Sequence, residues 1–176
     1  MAQLPRNPTN TNYQQPTKFQ IVFPRITTVT YFCQRVNIPA ISATPARQFT
    51  PFVDLYRPGD KLEYATLDIE FIVDEDMWNW EILQSWMRGY SFPCSFEEYK
   101  NMDRKSFYSM QHFSPPQYAD AHLVVLSALN NPKIKVKFID AFPVSLSEVQ
   151  FNVGSSADET MKATAQFRYQ LFNIDR

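Results

Sequence analysis

The stretch "ETMKATAQFRYQLFNI", Glu159 to Ile174, alternates along its whole length. Met161, Ala163, Ala165, Phe167, Tyr169 and Leu171 fall on one side, and Lys162, Thr164, Gln166, Arg168 and Gln170 on the other. Period two predicts a single half-buried strand. It runs well past the usual strand of ~5–6 residues. A lone domain has little use for the excess, because every backbone group along it needs a partner.

Outward from this stretch, 176 residues suit one domain with a real core. Aromatic residues make up 15%, with Phe dominant, which is high. The net charge of -1 argues against a general nucleic-acid binder, which needs a basic excess to neutralise phosphates. Cys33 and Cys94 are too few for a disulfide framework. The polar start, "MAQLPRNPTNTNYQQPTK", lacks the apolar segment of a signal peptide, and no run is long enough for a membrane span. Reduced thiols and a reducing cytoplasm are therefore expected. With glycine only at 59, 89 and 154, neither a P-loop nor a Rossmann fingerprint can be written here.

Residues 1–17 read as an extended arm, either a mobile tail or a segment that orders against a neighbouring subunit. The domain proper is expected over 18–176. Lys18–Pro24 reads as a first strand and Val29–Ala40 as a second. A proline-punctuated loop follows, and Phe49, Phe52, Val53, Leu55 and Tyr56 make it too apolar for plain solvent. Leu62–Asp76 reads as a middle strand with Leu67, Ile69, Phe71 and Val73 on one face. From Asp74, an N-cap candidate, the period shifts to helical. Trp78, Ile82 and Trp86 are then expected on the buried face, Trp80 partly exposed, and Asn79, Gln84 and Arg88 outward, with Gly89 as the stop. Residues 91–120 form an irregular insert. A hairpin turning at Asn130-Asn131-Pro132 comes next, in which Lys133, Lys135 and Lys137 give one strand a cationic face. Val144–Val153 reads as a further strand before the last one.

No catalytic constellation emerges. His112 and His122 have no partner at metal-ligand spacing, neither HExxH nor CxxC occurs, and Asp74-Glu75-Asp76 is explained by the start of a helix. No enzyme and no cofactor is expected. The residues point to a mostly β domain with one main helix and interaction surfaces.

Certain words in their order resemble the tail tube proteins of contractile-tailed bacteriophages. They are "CQRVNIPA" (33–40), "RPGD" (57–60), "IEFIVDED" (69–76) before a tryptophan-bearing helix, and "FPVSLSEVQFNVGSSADETMKATAQFRYQLF" (142–172). The resemblance covers most of residues 18–174. The proline-rich arm and the insert depart from the pattern. The resemblance implies an antiparallel β-barrel or sandwich whose sheets join into a ring-wide barrel. It implies a homo-hexamer in stacked rings that forms the inner tube of a virion tail. Sheath and baseplate or neck proteins would be partners, and genomic DNA would pass through without membrane binding by this chain. The leading expectation is the repeating tube subunit, made in the bacterial cytoplasm. The alternatives are a single ring at the tube end, as baseplate initiator or tail terminator, or a stand-alone β binding module. Phe49, Phe52, Leu55, Tyr56 and Arg168 become candidates for inter-subunit contact. Lys162, Thr164, Gln166 and Arg168 are one candidate lumen face, with Lys133, Lys135 and Lys137 competing. Acidic residues such as Asp68 and Glu70 are expected to offset the latter lysines.

Overall fold

A computed structural model describes residues 14–24, 26–91, 95–97, 117–152, 154 and 160–175. Most of the expected arm and insert lies outside these residues. The chain runs β1 (Phe19–Val22), α1 (Thr27–Phe32), β2 (Cys33–Val36), β3 (Ile41–Ala43), β4 (Ala46–Gln48), β5 (Leu55–Arg57), β6 (Leu62–Tyr64), β7 (Leu67–Ile72), α2 (Trp78–Ser91), β8 (Ala119–Leu126), β9 (Pro132–Leu146), β10 (Lys162–Arg168) and β11 (Leu171–Asp175). Every strand pair is antiparallel. The fold is thus mostly β with one long helix, as the sequence predicts.

The strand β9 organises the molecule. Its first half lies between β8 and β11, and its second half pairs with β10. One sheet therefore reads β1-β8-β9-β11 and the other β9-β10-β7-β2, with β9 common to both. Asp140 marks the change of sheet with a φ of 54°. Opposite it the terminal strand breaks at Tyr169–Gln170, between β10 and β11. The single terminal strand expected from the alternation is thus two strands. Up to the break the reading holds: Ala163, Ala165, Phe167 and Tyr169 are buried. Beyond it the phase inverts, and Leu171 is exposed. The strand expected at Val144–Val153 is instead the tail of β9, which ends at Leu146.

The core lies between the sheets. Leu67, Ile69 and Phe71 of β7 and Phe167 of β10, side by side on one sheet, share one buried cluster with Leu123 of β8 and Phe138 of β9 on the other. Burial of this kind supplies roughly 1.5–3 kcal/mol per large side chain relative to exposure. The helix α2 packs on it through Asn79, Leu83, Trp86 and Gly89. Trp86 stacks obliquely on Phe167 at 6.2 Å. This corrects the expected helix face: Trp78 is 49% exposed and Asn79 is fully buried. The cause is a turn before the helix. Asp74 accepts from the Asn79 amide at 3.2 Å, and the Asn79 side chain donates to the Ile72 carbonyl at 2.8 Å. These bonds pull position 79 inward and rotate Trp78 out. Gly89 is a packing residue two positions before the helix end, rather than its stop.

The expected second strand, Val29–Ala40, begins as helix. The segment Thr27–Phe32 is rich in β-branched residues, yet Ile26 and Val29 are both buried, which needs helical spacing. Thr30 fixes the turn: its hydroxyl donates to Ile26 O at 3.3 Å and accepts from the Phe23 amide at 3.1 Å. Tertiary burial here overrides strand propensity. Among the described residues no helix is long and apolar enough to cross a membrane.

Candidate assembly surfaces

The proline-rich loop is a two-tier hairpin arm. At its base β3 pairs with β6, and further out β4 pairs with β5. Pro45 and Pro58 sit between these short ladders and Pro51 in the tip beyond them, where no donor is needed. Gly59 lets the tiers meet, since a Cβ there would overlap the Thr44 carbonyl. Near the tip Arg47 pairs with Asp54 and lies 4.9 Å over the Phe49 ring, and Val53 donates to Thr50 Oγ1. The arm holds itself together by backbone and polar contacts, and its apolar side chains are left outside. Phe49 is 75% exposed, Phe52 99%, Leu55 47% and Tyr56 68%. Val53 is exposed with them, and Ile41 and Leu62, which the sequence reading did not single out, are exposed as well. A patch of this kind marks an interaction site.

Arg168 does not sit among those aromatics. It lies at the base of the arm, where its guanidinium donates to Tyr64 O at 3.0 Å. Next to it Tyr169 donates to Ala65 O at 2.9 Å and meets the Tyr64 ring edge-on. Burial raises the Tyr169 phenol to about 12, with Tyr64 adding to the rise and Arg168 opposing it. The corner between β10 and β11 therefore anchors the arm to the body.

The two candidate lumen sets lie on different sheets. Lys162, Thr164 and Gln166 belong to the outer face of the β9-β10-β7-β2 sheet, opposite Ile72, Glu70 and Asp68 in register. Lys162 pairs with Glu70 at 3.2 Å. On the far strand Arg35 stands opposite Glu70, and Asn37 bonds both Asp68 and the Thr66 carbonyl. The bulge between Cys33 and Arg35 aims Arg35 outward, and plain alternation could not reveal it. This face is polar, with interleaved charges of both signs.

Lys133, Lys135 and Lys137 lie on the other sheet. Asp68 and Glu70 consequently cannot offset them, contrary to expectation. Asp120 does so for Lys137, at 3.1 Å. Between these strands His122 has its pKa lowered by burial first and then by Lys135 and Lys137, against a smaller opposing pull from Asp120. Among the described residues no cluster of three His, Cys, Asp or Glu side chains could hold a metal. Burial raises the Cys33 thiol to about 11; a backbone hydrogen bond from Arg35 opposes the rise, and the nearby Glu70 charge adds to it. That is an inert thiol. His112 and Cys94 lie outside the described residues.

A family model for phage tail tube proteins matches residues 2–175. The tail tube terminator protein of Enterobacteria phage T4 is 28% identical over 175 residues, which cover 94% of this chain and 90% of that protein. Two solved structures share the fold. A chain of the anti-feeding prophage tube-terminating cap gives a TM-score of 0.60 at 11% identity, covering 99% of both chains. A chain of the anti-feeding prophage baseplate gives 0.59 at 15% identity, covering 94% of this chain and 97% of that one.

Proposed function

The chain belongs to the phage tail tube protein family, and from that premise we propose that it forms the ring that ends the inner tube of a contractile tail. It is a structural protein of the virion tail and not an enzyme. The observation that carries the tube-end reading is the similarity to the T4 tail tube terminator along nearly the whole of both chains. This favours the terminator over the repeating tube subunit, which was the leading expectation from sequence.

In this reading six copies close a ring, and the β3–β6/β4–β5 arm packs its aromatics on an adjacent subunit or on the last ring of the tube. The outer face of the β10 sheet lines the channel. Arg35 and Lys162 are interleaved there with Asp68 and Glu70. A near-balanced polar wall lets DNA pass without gripping its phosphates. Residues 1–17 act as an arm toward a neighbour, and sheath and neck proteins are the outer partners.

End-capping separates the readings. Labelled protein should be added to preformed tubes of the cognate tube protein and viewed by negative-stain microscopy. The terminator reading expects label at tube ends only and an arrest of elongation. Long rods formed by this chain alone, or label along the tube length, would establish the repeating subunit instead.

A further inference from the structure

We propose that neighbouring copies in the ring meet knob to groove. The acidic turn at Glu75 and Asp76, with Trp78, seats in a lysine-rimmed groove at the start of β9 of the next copy. This rests on the ring reading above and names its contact.

The groove encloses about 360 Å³ on the outer face of the β1-β8-β9-β11 sheet, within the ~300–1,000 Å³ typical of sites that hold a compact group. Val22, Val124 and Ile134 supply apolar surface, and Lys133 and Lys135 supply cationic charge, with Asp175 also present. Lys137 is already committed to Asp120, whereas no carboxylate among the described residues pairs with Lys133 or Lys135. His122 also lines the groove, and its buried Nδ1 lacks a hydrogen-bond partner. The groove therefore offers apolar area, two lysines without a direct ion pair, one of them across the strand from Asp175, and an unsatisfied ring nitrogen.

The knob has the matching chemistry. Glu75 and Asp76 are exposed, and Trp78 presents about half of its surface to solvent. It is also rigid. Met77 holds a φ of 53° and donates its amide to Asp74 O at 3.0 Å, while Asp74 and Asn79 lock the turn to the core. A preorganised knob loses little freedom on docking.

Knob and groove lie at opposite ends of one protomer. The groove is at the first residues of β9. The knob begins α2, whose Trp80 indole donates to Ser147 O at 3.2 Å, just past the last residue of β9. Complementary patches at separate places on one chain make a heterologous contact, which yields a ring when the rotation closes. Opposite charge on the two patches fixes partner and register.

Charge reversal tests it on the full chain, with mass photometry reading the ring population at fixed concentration. K133E/K135E and E75K/D76K should each lower it by ~10-fold or more, and the fourfold variant should restore it. Circular dichroism checks that each variant is folded, with K133Q/K135Q replacing the first if it is not. Rings that persist in both reversed variants overturn the contact and leave the ring reading intact. A wild type that stays monomeric at high concentration and on tubes removes both. A K133E/K135E protein that assembles normally but retains DNA less well would make the groove a phosphate-facing surface and overturn the contact.

Discussion

Trp86 and Trp78 are separated by two helical turns and have opposite fates. Trp86 is 3% exposed, packs on Phe167, and donates its indole N–H to Gln117 O at 3.0 Å. Trp86→Ala should cost roughly 3–5 kcal/mol of subunit stability. Trp78→Ala should cost less than about 1 kcal/mol, as surface substitutions do. Denaturant midpoints of the two variants check this, and equal losses would mean the helix face is misplaced. Cys33 gives a second residue-scale prediction. A thiol raised from 9.0 to about 11 has roughly 100-fold less thiolate at pH 8 than an ordinary cysteine. In a Cys94→Ser background, alkylation by iodoacetamide should be slow and keep rising with pH beyond 9. The shift favours the neutral thiol in the folded state. Its contribution to stability is therefore complete below pH 9 and is lost as pH rises toward 11. An alkylation rate that levels off near pH 9 would show that the thiol is not shielded. At this scale the alternation of β7 and β10 was plain in the sequence. The inward Asn79 was not, because a buried asparagine is set by turn geometry rather than by hydrophobic period.

At the scale of elements, the arm carries the clearest test. F52S/Y56S should leave the subunit folded, since both side chains are exposed and serine keeps the backbone groups with which Tyr56 pairs opposite Arg47. It should block attachment to the tube end in a pelleting assay, and normal attachment would remove the arm from the interface. The sequence showed that this loop was apolar and interrupted by prolines. It did not show that Pro45 and Pro58 separate two short ladders, because pairs of three residues are too short for periodicity to register. The first helix stayed hidden for the opposite reason. "TTVTYF" has strand propensity, and only its burial against β1 and β7 makes it helical. The continuous alternation through Tyr169 likewise concealed the break between β10 and β11, because pattern reports which face is buried and not where the chain bends.

Across the whole molecule, the question raised by the terminal strand has a divided answer. From Ala165 to Phe167, β10 is flanked on both sides by β7 and β9, so that part of its backbone is paired within one subunit. Among the described residues β11 pairs with β9 alone, which leaves its other edge open. In the free subunit, amides of Gln166 and Phe167 should resist hydrogen exchange, and those on the outer edge of 171–175 should exchange readily. Assembly should protect the latter. Equal protection of 171–175 before and after assembly would mean that this edge joins nothing. The family pattern and the β-rich architecture were legible because burial imposes period two wherever a sheet has one dry face. The proposed place at the end of a tube was not legible, since period two reports a buried sheet face and not what the outer surfaces meet.

The sharing of β9 between two sheets has a consequence in time. Leu67–Ile72 finds its partner on β10 only after Lys162–Phe167 exists, and Phe19–Val22 waits for His122–Val125. These two pairings each span roughly a hundred residues of chain, the kind of long-range contact that slows folding. At roughly 5–20 residues per second of synthesis, β1 is made seconds before β8 can receive it, and β7, with only β2 already beside it, waits as long for β10. The nascent chain emerges with Ile21, Leu67, Ile69 and Phe71 bare and depends on being shielded until its last strands leave the ribosome. A truncated product that stops before β10 would aggregate rather than accumulate as a half-domain.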